Sequence, residues 1–341
     1  MNSDTLHDYL KLFRSGIDLP DNKASHFFDA LLREENEMLL AEVLTSWNEK
    51  GTTENELFSL ASIMRSRAVK VNSKHEIFVD AVGTGGSRAK TFNVSTAAAF
   101  VIAGAGVSVA KHGNRAATSN SGSADVLTAL GVNPAVDAAK AEECLNTIGI
   151  CFMFAPKFHS LSPVLAKVRR ELGVPTIFNN LGPLCNPANA PHQIIGVWHN
   201  DIVEKIAKVL ARLGTKKSWV VHGDDGLDEI TLNGETQVGE ITGNDVRLFK
   251  IKPSDFGLNA ASISGLKQNS PESSASLITS ILTGDCPESA AVNLVLINAA
   301  APIYLSGKAV GLREALDLAK ASLSSGAALG KLNELIAATN K

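Results

Sequence analysis

Hydrophobic side chains recur at helical spacing through the first 70 residues of the chain. Leu6, Leu10 and Phe13 lie three or four positions apart, and the same spacing returns within residues 27–31 and 38–44. Thr53 is followed three positions later by Glu56, a combination typical of a helix N-terminus. The pattern therefore predicts a small all-helical unit at the start of the chain.

From Ile77 onward, short apolar segments alternate with longer amphipathic ones. The segments with the character of buried strands are 77–82, 107–113, 151–155, 192–197 and 217–223. The helical segments between them are 95–106, 123–131, 159–173 and 202–214. Strands that alternate with helices predict an α/β fold with a mostly parallel central sheet flanked by helices. Residues 234–241 and 246–251 resemble a late hairpin, and the chain from Ser273 onward is helical again.

The segment 176–191, TIFNNLGPLCNPANAP, interrupts this alternation. It is rich in Gly, Pro and Asn, so we predict a connection between a helix and a strand. Such connections often reach a binding site or join two domains.

Composition and charge narrow the class of protein. The chain has 341 residues, of which 45% are hydrophobic, and its net charge is −3, so broad nucleic-acid binding is not expected. The four cysteines lack metal-ligand spacing, which favours reduced thiols in the cytoplasm. The N-terminal segment lacks the apolar core of a signal peptide. Asn293, Asn298 and Pro302 interrupt the longest apolar stretch, so we expect a buried helix there and no membrane association.

A glycine turn, GTGG, follows the first predicted strand directly. Gly83, Gly85 and Gly86 allow backbone amides to approach a ligand, and the helix that follows presents unpaired N–H groups. A phosphate or diphosphate suits such a site, although the spacing matches neither the P-loop nor the dinucleotide-binding pattern. A plain tight turn between strand and helix is the alternative interpretation.

A second polar cluster, KHGNRAATSNSGSAD, follows the second strand. Lys111 can act as a point charge on a diphosphate, and Arg115 can do the same or pair with a carboxylate. His112 can donate to a carboxylate ligand or can fix its own loop by a hydrogen bond. Ser121 and Ser123 are candidate caps of the next helix.

A third cluster, HGDDGLDEI, holds four carboxylates in six positions. It suits an exposed acidic turn, and it also suits oxygen ligation of Mg²⁺ bound through substrate phosphates. Asp228 and Glu229 are better placed for ligation than Asp224 and Asp225.

Taken together, these stretches resemble the anthranilate phosphoribosyltransferase family. The motifs GTGG, TFNVST, KHGNR, SGSADVL, the long stretch MFAPKFHSLSPVLAKVRRELGVPTIFNNLGPLCNPA and DGLDE occur in the family's order and spacing. The resemblance covers nearly the whole chain, including LREALDLAKASLSSGAA near its end.

The resemblance implies a helical domain, residues 1–72 joined by part of 160–191, and an α/β domain, residues 73–341. It implies a homodimer formed through the helical domain and the transfer of a phosphoribosyl group from 5-phosphoribosyl 1-diphosphate to anthranilate, with Mg²⁺ as cofactor. Phosphoribosyl diphosphate would contact Gly83, Gly86, Ser87, Thr91, Asn93, Val94, Ser95, Thr96, Lys111, His112, Gly113, Asn114, Arg115, Ser119 and Ser123. Anthranilate would contact Gly83, His112, Asn114 and Arg169, and Mg²⁺ would be served by Ser95, Asp228 and Glu229.

Ser87 and Arg169 each have more than one interpretation. The family commonly has Asp after GTGG, whereas this chain has Ser87, which puts an inherited metal or ribose role at that position in doubt. A Ser87→Asp variant should alter Mg²⁺ dependence more than anthranilate affinity. Arg169 can recognise a planar carboxylate through its guanidinium fork, or it can be a solvated residue of its helix.

The sequence offers no Ser/His/Asp or paired-carboxylate catalytic set. Because the aromatic amine is already neutral at pH 7, positioning and electrostatic stabilisation of the leaving diphosphate suffice, with Lys111 as the stabilising residue. A pyrimidine-nucleoside phosphorylase and a non-catalytic nucleic-acid-binding relative are the alternative functions.

Overall fold

The computed structural model describes residues 5–85, 89, 91–115, 121–287 and 289–341. The chain begins with four helices, and an alternation of strands and helices follows. The helices are α1 Leu6–Arg14, α2 Ala24–Arg33, α3 Glu37–Lys50, α4 Glu54–Arg67, α5 Val94–Gly104, α6 Ser123–Ala129, α7 Ala138–Thr147, α8 Ala155–Phe158, α9 Pro163–Leu172, α10 Ile177–Leu184, α11 Val203–Arg212, α12 Pro271–Thr283, α13 Ser289–Leu305, α14 Leu312–Ser324 and α15 Ala327–Thr339. The strands are β1 Phe78–Gly83, β2 Ser108–Gly113, β3 Ile150–Phe154, β4 His192–Gly196, β5 Lys217–Gly223, β6 Thr236–Thr242 and β7 Asp245–Ile251.

The strands form one sheet in the order β3-β2-β1-β4-β5-β6-β7. The first five strands pair in parallel, and β6 and β7 add an antiparallel hairpin at one edge. The predicted fold class and the late hairpin are confirmed. Parallel strands place their carboxyl ends at one edge, so the loops after β1, β2 and β5 lie near each other.

Two hydrophobic cores lie on opposite faces of this sheet. Successive residues of β4, Ile194 and Ile195, belong to different cores, and so do Trp219 and Val220 of β5. The division follows from the alternation of side chains along a strand. One core packs α5 and the C-terminal helices against the sheet, and the other packs the N-terminal helices, α9, α10 and α11 against it. The domain boundary at residue 72 stays a prediction.

The ends of several elements follow the chemistry of their caps. Thr53 accepts a hydrogen bond from the Glu56 amide, and the Glu56 side chain accepts one from the Thr53 amide, as the sequence predicted. The predicted capping role of Ser121 and Ser123 is wrong, because Gly122 is the N-cap of α6 and its amide donates to Asp125.

The segment 176–191 was also predicted wrongly, because it contains helix α10. Asn179 accepts a hydrogen bond from the Thr176 amide and so caps the first turn. The buried side chains of the helix, among them Phe178 and Leu181, pack into the core beside α4. Pro183 is tolerated inside the last turn of this short helix.

The long apolar stretch forms α13, and most of its side chains are buried. Among the described residues, no helix combines the length and apolar character that crossing a membrane requires.

Candidate active site

A cavity of about 510 Å³ opens at the carboxyl ends of β1 and β2. Its walls come from both sides of the sheet: the glycine turn and the acidic loop after β5 lie on one wall, and α9 and α10 lie on the other. A larger groove of about 910 Å³ separates α6 from α12, but its Arg115 is paired with Asp125. The polar groups of the predicted site converge on the smaller cavity.

The glycine turn receives the acidic loop. The Gly85 amide donates to Asp228 Oδ2 at 3.2 Å, and Gly85 has a φ of 67°, which favours glycine. A Cβ on Gly83 would lie 2.8 Å from the same carboxylate oxygen, and a Cβ on Gly196 would lie 1.6 Å from the Asp228 carbonyl oxygen. The missing Cβ atoms of Gly83 and Gly196 therefore leave the space that Asp228 occupies, and the Gly85 amide holds its carboxylate there.

The four carboxylates of the acidic loop divide into two pairs. Asp224 lies 3.3 Å from Lys250, and Asp225 accepts a hydrogen bond from the Thr231 hydroxyl, so both stabilise the loop. Asp228 and Glu229 line the cavity.

Glu229 occupies an unusual environment for a carboxylate. One of its oxygens accepts from the Ser95 amide at 3.1 Å, while the other is buried without a hydrogen-bond partner among the described residues. Burial, and next the neighbouring charge of Asp228, raise the pKa of Glu229 well above its ordinary value. A cation at this position would relieve both effects.

Lys111 lies beneath the glycine turn. Its Nζ donates to Ala81 O at 2.5 Å and to Ser95 Oγ at 3.2 Å. Burial lowers the pKa of Lys111 to about 8, against the charges of Asp80 and Glu229, which raise it. The ammonium therefore joins the first strand to the start of α5, close to the paired carboxylates.

Asn93 connects three segments of the same wall. Its Oδ1 accepts hydrogen bonds from the hydroxyls of Ser121 at 2.8 Å and Ser274 at 3.1 Å. Its backbone N–H donates to Ser274 Oγ. Ser123 donates to the carbonyl of Asn114. These bonds hold the loop after β2 against the start of α5 and against α12.

The opposite wall presents a guanidinium and two imidazoles. Arg169 stacks over Phe178, with its guanidinium carbon 4.7 Å from the ring centroid. Its Nε is buried without an acceptor within the part of the chain that the structure describes, and burial lowers the pKa of Arg169 to about 10. The group stays charged at neutral pH, so a carboxylate placed against it would satisfy both the charge and the orphaned N–H.

His112 and His159 also line the cavity. Their rings make an edge contact, with 5.1 Å between centroids. Burial lowers the pKa of His112 to about 3 and that of His159 to about 4, so both rings are neutral at pH 7. The backbone of Gly182 opposes this lowering of the pKa for His112, and that of Cys185 opposes it for His159.

Known proteins are similar to this chain in both sequence and architecture. Residues 75–329 match the family model described as "Glycosyl transferase family, a/b domain". The anthranilate phosphoribosyltransferase of Pelotomaculum thermopropionicum is 46% identical over 297 residues, which cover 87% of this chain and 86% of that protein. The chain belongs to the anthranilate phosphoribosyltransferase family.

Solved structures of the family superpose on nearly the whole of this chain. The enzyme of Thermus thermophilus superposes with a TM-score of 0.89 at 36% identity, covering 98% of this chain and all of that one. The enzyme of Saccharomyces cerevisiae in complex with PRPP and Mg also gives 0.89, at 28% identity and 98% coverage of both chains. A second yeast structure, in complex with 4-fluoroanthranilate, gives 0.87 at 26% identity.

Most residues that the family resemblance singled out come together in the cavity. The lining includes Gly83, Thr91, Asn93, Ser95, Lys111, His112, Gly113, Asn114, Arg115, Ser123, Arg169, Asp228 and Glu229. Val94 and Thr96 are instead buried in the core below the cavity wall. Gly86, Ser87 and Ser119 lie outside the described residues.

Several residues of the cavity wall are not among the site residues predicted from the sequence. His159, Phe178, Asn179, Pro183, Lys267 and Gln268 also line it. Most of them lie in stretches for which the sequence predicts only a helix or a connection between elements. Their proximity depends on how α10 packs, which no local signal encodes.

Proposed function

We propose that this chain transfers the 5-phosphoribosyl group from 5-phosphoribosyl 1-diphosphate to the amine of anthranilate, releasing diphosphate, in tryptophan biosynthesis. One observation carries the proposal: the half-buried Arg169, with its Nε orphaned among the described residues, faces the same cavity as the paired carboxylates and the glycine turn. The cavity thus offers a site for an aromatic carboxylate and a site for a metal-bound diphosphate.

The donor set fits Mg²⁺. Asp228, Glu229 and Ser95 supply hard oxygen ligands, and the orphaned Glu229 oxygen and its raised pKa both favour a cation there. These two carboxylates would hold the metal together with phosphate oxygens of the substrate. When bound, Mg²⁺ would neutralise charge on the leaving diphosphate.

The chain's own residues would bind the donor through the loops after β1 and β2. The glycine turn brings backbone amides close to the ligand, and the start of α5 adds a partial positive charge. Lys111 lies at this site as a further cation. Thr91, Asn93, Asn114 and Ser123 line the same wall and complete the donor site in this proposal.

The acceptor would lie against the opposite wall. Arg169 would bind its carboxylate, and Phe178, which stacks on Arg169, supplies an apolar surface for the ring. The neutral His112 adds an imidazole that does not repel the guanidinium. Because the acceptor amine is neutral at pH 7, the rate would depend on holding it against the anomeric carbon while the leaving group is stabilised.

The direct test is to mix the protein with anthranilate, phosphoribosyl diphosphate and Mg²⁺ and to follow the loss of anthranilate fluorescence. We expect the fluorescence to fall only when all three are present. Phosphorolysis of uridine or thymidine without that fall would instead favour a pyrimidine-nucleoside phosphorylase. A salt-dependent gel shift with neither activity would favour a nucleic-acid-binding protein.

We also propose a cytoplasmic homodimer that assembles through the N-terminal helices. All four cysteines are free thiols, in keeping with a reducing compartment. Ile17 and Met38 expose more than half of their surface in the helical unit, which supports an apolar contact there.

A further inference from the structure

The backbone pairing of the first two strands ends just below the cavity, although the strands remain neighbours in the sheet. β1 and β2 are in register at Phe78/Ser108 and Val79/Val109, and the paired register extends no further along these described strands. On its other side, β1 stays paired with β4 as far as Gly83/Gly196. The ladder between β1 and β2 therefore ends before the residues that reach the cavity.

Polar side chains bridge the gap where the ladder ends. Asp80 Oδ1 accepts the His112 amide at 3.2 Å, and Lys111 Nζ donates to Ala81 O. Asn186 Nδ2 donates to Asp80 Oδ2 at 2.8 Å and to Ala110 O at 2.9 Å. These bonds occupy backbone groups that would pair strand to strand in an unbroken ladder.

Asn186 brings a third element to this junction. It lies two residues after the end of α10, and its Oδ1 accepts from the Ala188 amide at 2.8 Å. α10 carries Phe178 and Pro183 of the acceptor wall. One side chain thus ties the acceptor helix to the strand that carries Lys111 and His112.

Both members of this junction lie below the cavity, not on its wall. Asp80 and Asn186 are fully buried. Burial raises the pKa of Asp80 to about 6, while the charge of Lys111 and the bond from Asn186 oppose that rise. A buried carboxylate is costly, and an apolar pair of similar volume would serve stability alone at least as well.

We propose that Asp80 and Asn186 are a positioning pair that sets the distance between the acceptor and donor halves of the site. The inference deepens the proposed function and depends on it. Neither residue touches a substrate. The pair acts through β2 and α10, so its loss displaces the reacting groups without removing a binding contact. A displacement of about 1 Å at such a site can lower the rate by about a hundredfold.

The test is the Asn186→Ala variant, assayed by anthranilate fluorescence with each substrate varied in turn. We expect kcat to fall by about 10- to 100-fold, while the KM of each substrate changes by less than about threefold. Ser322→Ala is the matched control, because it deletes another buried side chain whose hydroxyl donates to Val101 O at 2.8 Å, away from the cavity. Its kcat should stay within about twofold of wild type even where its melting temperature falls.

A second pair of variants keeps the test decisive if Asn186→Ala does not fold. Asp80→Asn sets an amide against the Asn186 amide, and Asn186→Asp sets two carboxylates together. The double variant Asp80→Asn/Asn186→Asp restores a donor and an acceptor between the two positions. We expect its kcat to exceed that of the worse single variant by about fivefold or more.

Three results would overturn the inference. They are a folded Asn186→Ala protein with wild-type kcat, a variant whose loss is entirely in acceptor KM, and a double variant no better than the worse single one. If the wild type itself shows no fluorescence loss, the proposed function fails, and the positioning role fails with it. An active wild type with unaffected variants overturns the positioning role alone.

Discussion

Arg169 and its neighbour Arg170 are adjacent on α9 but lie in different environments. Arg169 is half-buried over Phe178 with an orphaned Nε, whereas Arg170 is exposed. A charge-assisted hydrogen bond to a carboxylate contributes about 1.5–3 kcal/mol. We expect Arg169→Ala to raise the KM for anthranilate about 10- to 100-fold, with a smaller change in kcat, in steady-state fluorescence assays.

Arg170→Ala is the control, because it removes the same charge one position away. Its KM should stay within about twofold of wild type. If both variants changed the KM alike, the effect would come from the overall field of α9, and the carboxylate role of Arg169 would be wrong.

Gly196 offers a test of the proposed metal site through the backbone that surrounds Asp228. It lies in β4, outside every motif that the sequence analysis singled out, yet a Cβ there would lie 1.6 Å from the Asp228 carbonyl. Gly196→Ala must therefore displace Asp228 and the loop that carries Glu229. We expect kcat to fall at least a hundredfold at fixed Mg²⁺, on the scale of losing one pre-organised group, about 3 kcal/mol. Titration of Mg²⁺ should show a weaker apparent affinity.

Gly330→Ala provides the comparison for this change. Gly330 lies inside α15, and a Cβ there meets no neighbouring atom within 4 Å. This substitution should leave activity unchanged and stabilise the helix by roughly 0.5–1 kcal/mol. An active Gly196→Ala protein with normal Mg²⁺ dependence would show that Asp228 is not held in place for the metal.

At the scale of elements, the alternation of strands and helices could be predicted, because the hydrophobic residues of each element recur with the period of a strand or of a helix. The glycine turn, the start of α5 and the acidic loop also followed from local patterns, since each directly follows or precedes a predicted element. α10 was not predicted, because Gly182, Pro183 and two asparagines all disfavour a helix by local propensity. Burial of Phe178 and Leu181 against the N-terminal helices overrides that propensity.

The same tertiary dependence explains the missed site residues. His159 and Asp80 carry no motif of their own, and the residues that they contact, His112 and Asn186, lie 47 and 106 positions away. A single sequence without a fold gives no signal for such pairs. The early end of the pairing between β1 and β2 is likewise visible only once the register is known.

The burial of His159 predicts a pH-dependent contribution to stability. Its pKa falls from 6.5 to about 4, mainly through burial, so the folded state favours the neutral ring. That contribution is complete above pH 6.5 and is lost as the pH falls toward 4. Between pH 7 and pH 5, the free energy of unfolding of wild type should fall by about 2 kcal/mol relative to His159→Gln.

Urea unfolding of both proteins at several pH values measures this difference. The comparison cancels the titrating groups that lie apart from His159, such as Asp80. It does not cancel His112, because the charge of His159 contributes to the lowered pKa of His112. A constant difference between the two proteins from pH 7 to pH 5 would mean that His159 titrates alike in the folded and unfolded states.

At the scale of the whole molecule, the cavity depends on both hydrophobic cores. The sheet carries the loops of the proposed donor site, and helices of the second core carry the proposed acceptor wall. The order of elements predicted a helical unit and an α/β unit, but it did not predict that α11 packs with the N-terminal helices. That arrangement depends on which face each helix buries, and amphipathic pattern alone does not distinguish the two faces of a parallel sheet.

The proposed dimer can be tested at Met38, which is 73% exposed in the helical unit. Met38 is the second residue of α3, where a negative charge is favourable to the helix, so Met38→Asp should leave the fold intact. In a two-fold symmetric contact the same surface meets its copy, so two charges would be buried together. Light scattering coupled to size exclusion should show a dimer for wild type and a shift toward monomer for Met38→Asp.

Val310→Asp is the matched control, because Val310 is 95% exposed in the turn before α14. The Val310→Asp protein should remain dimeric. A wild-type monomer, or equal dissociation by both variants, would place the N-terminal helices outside any stable self-contact.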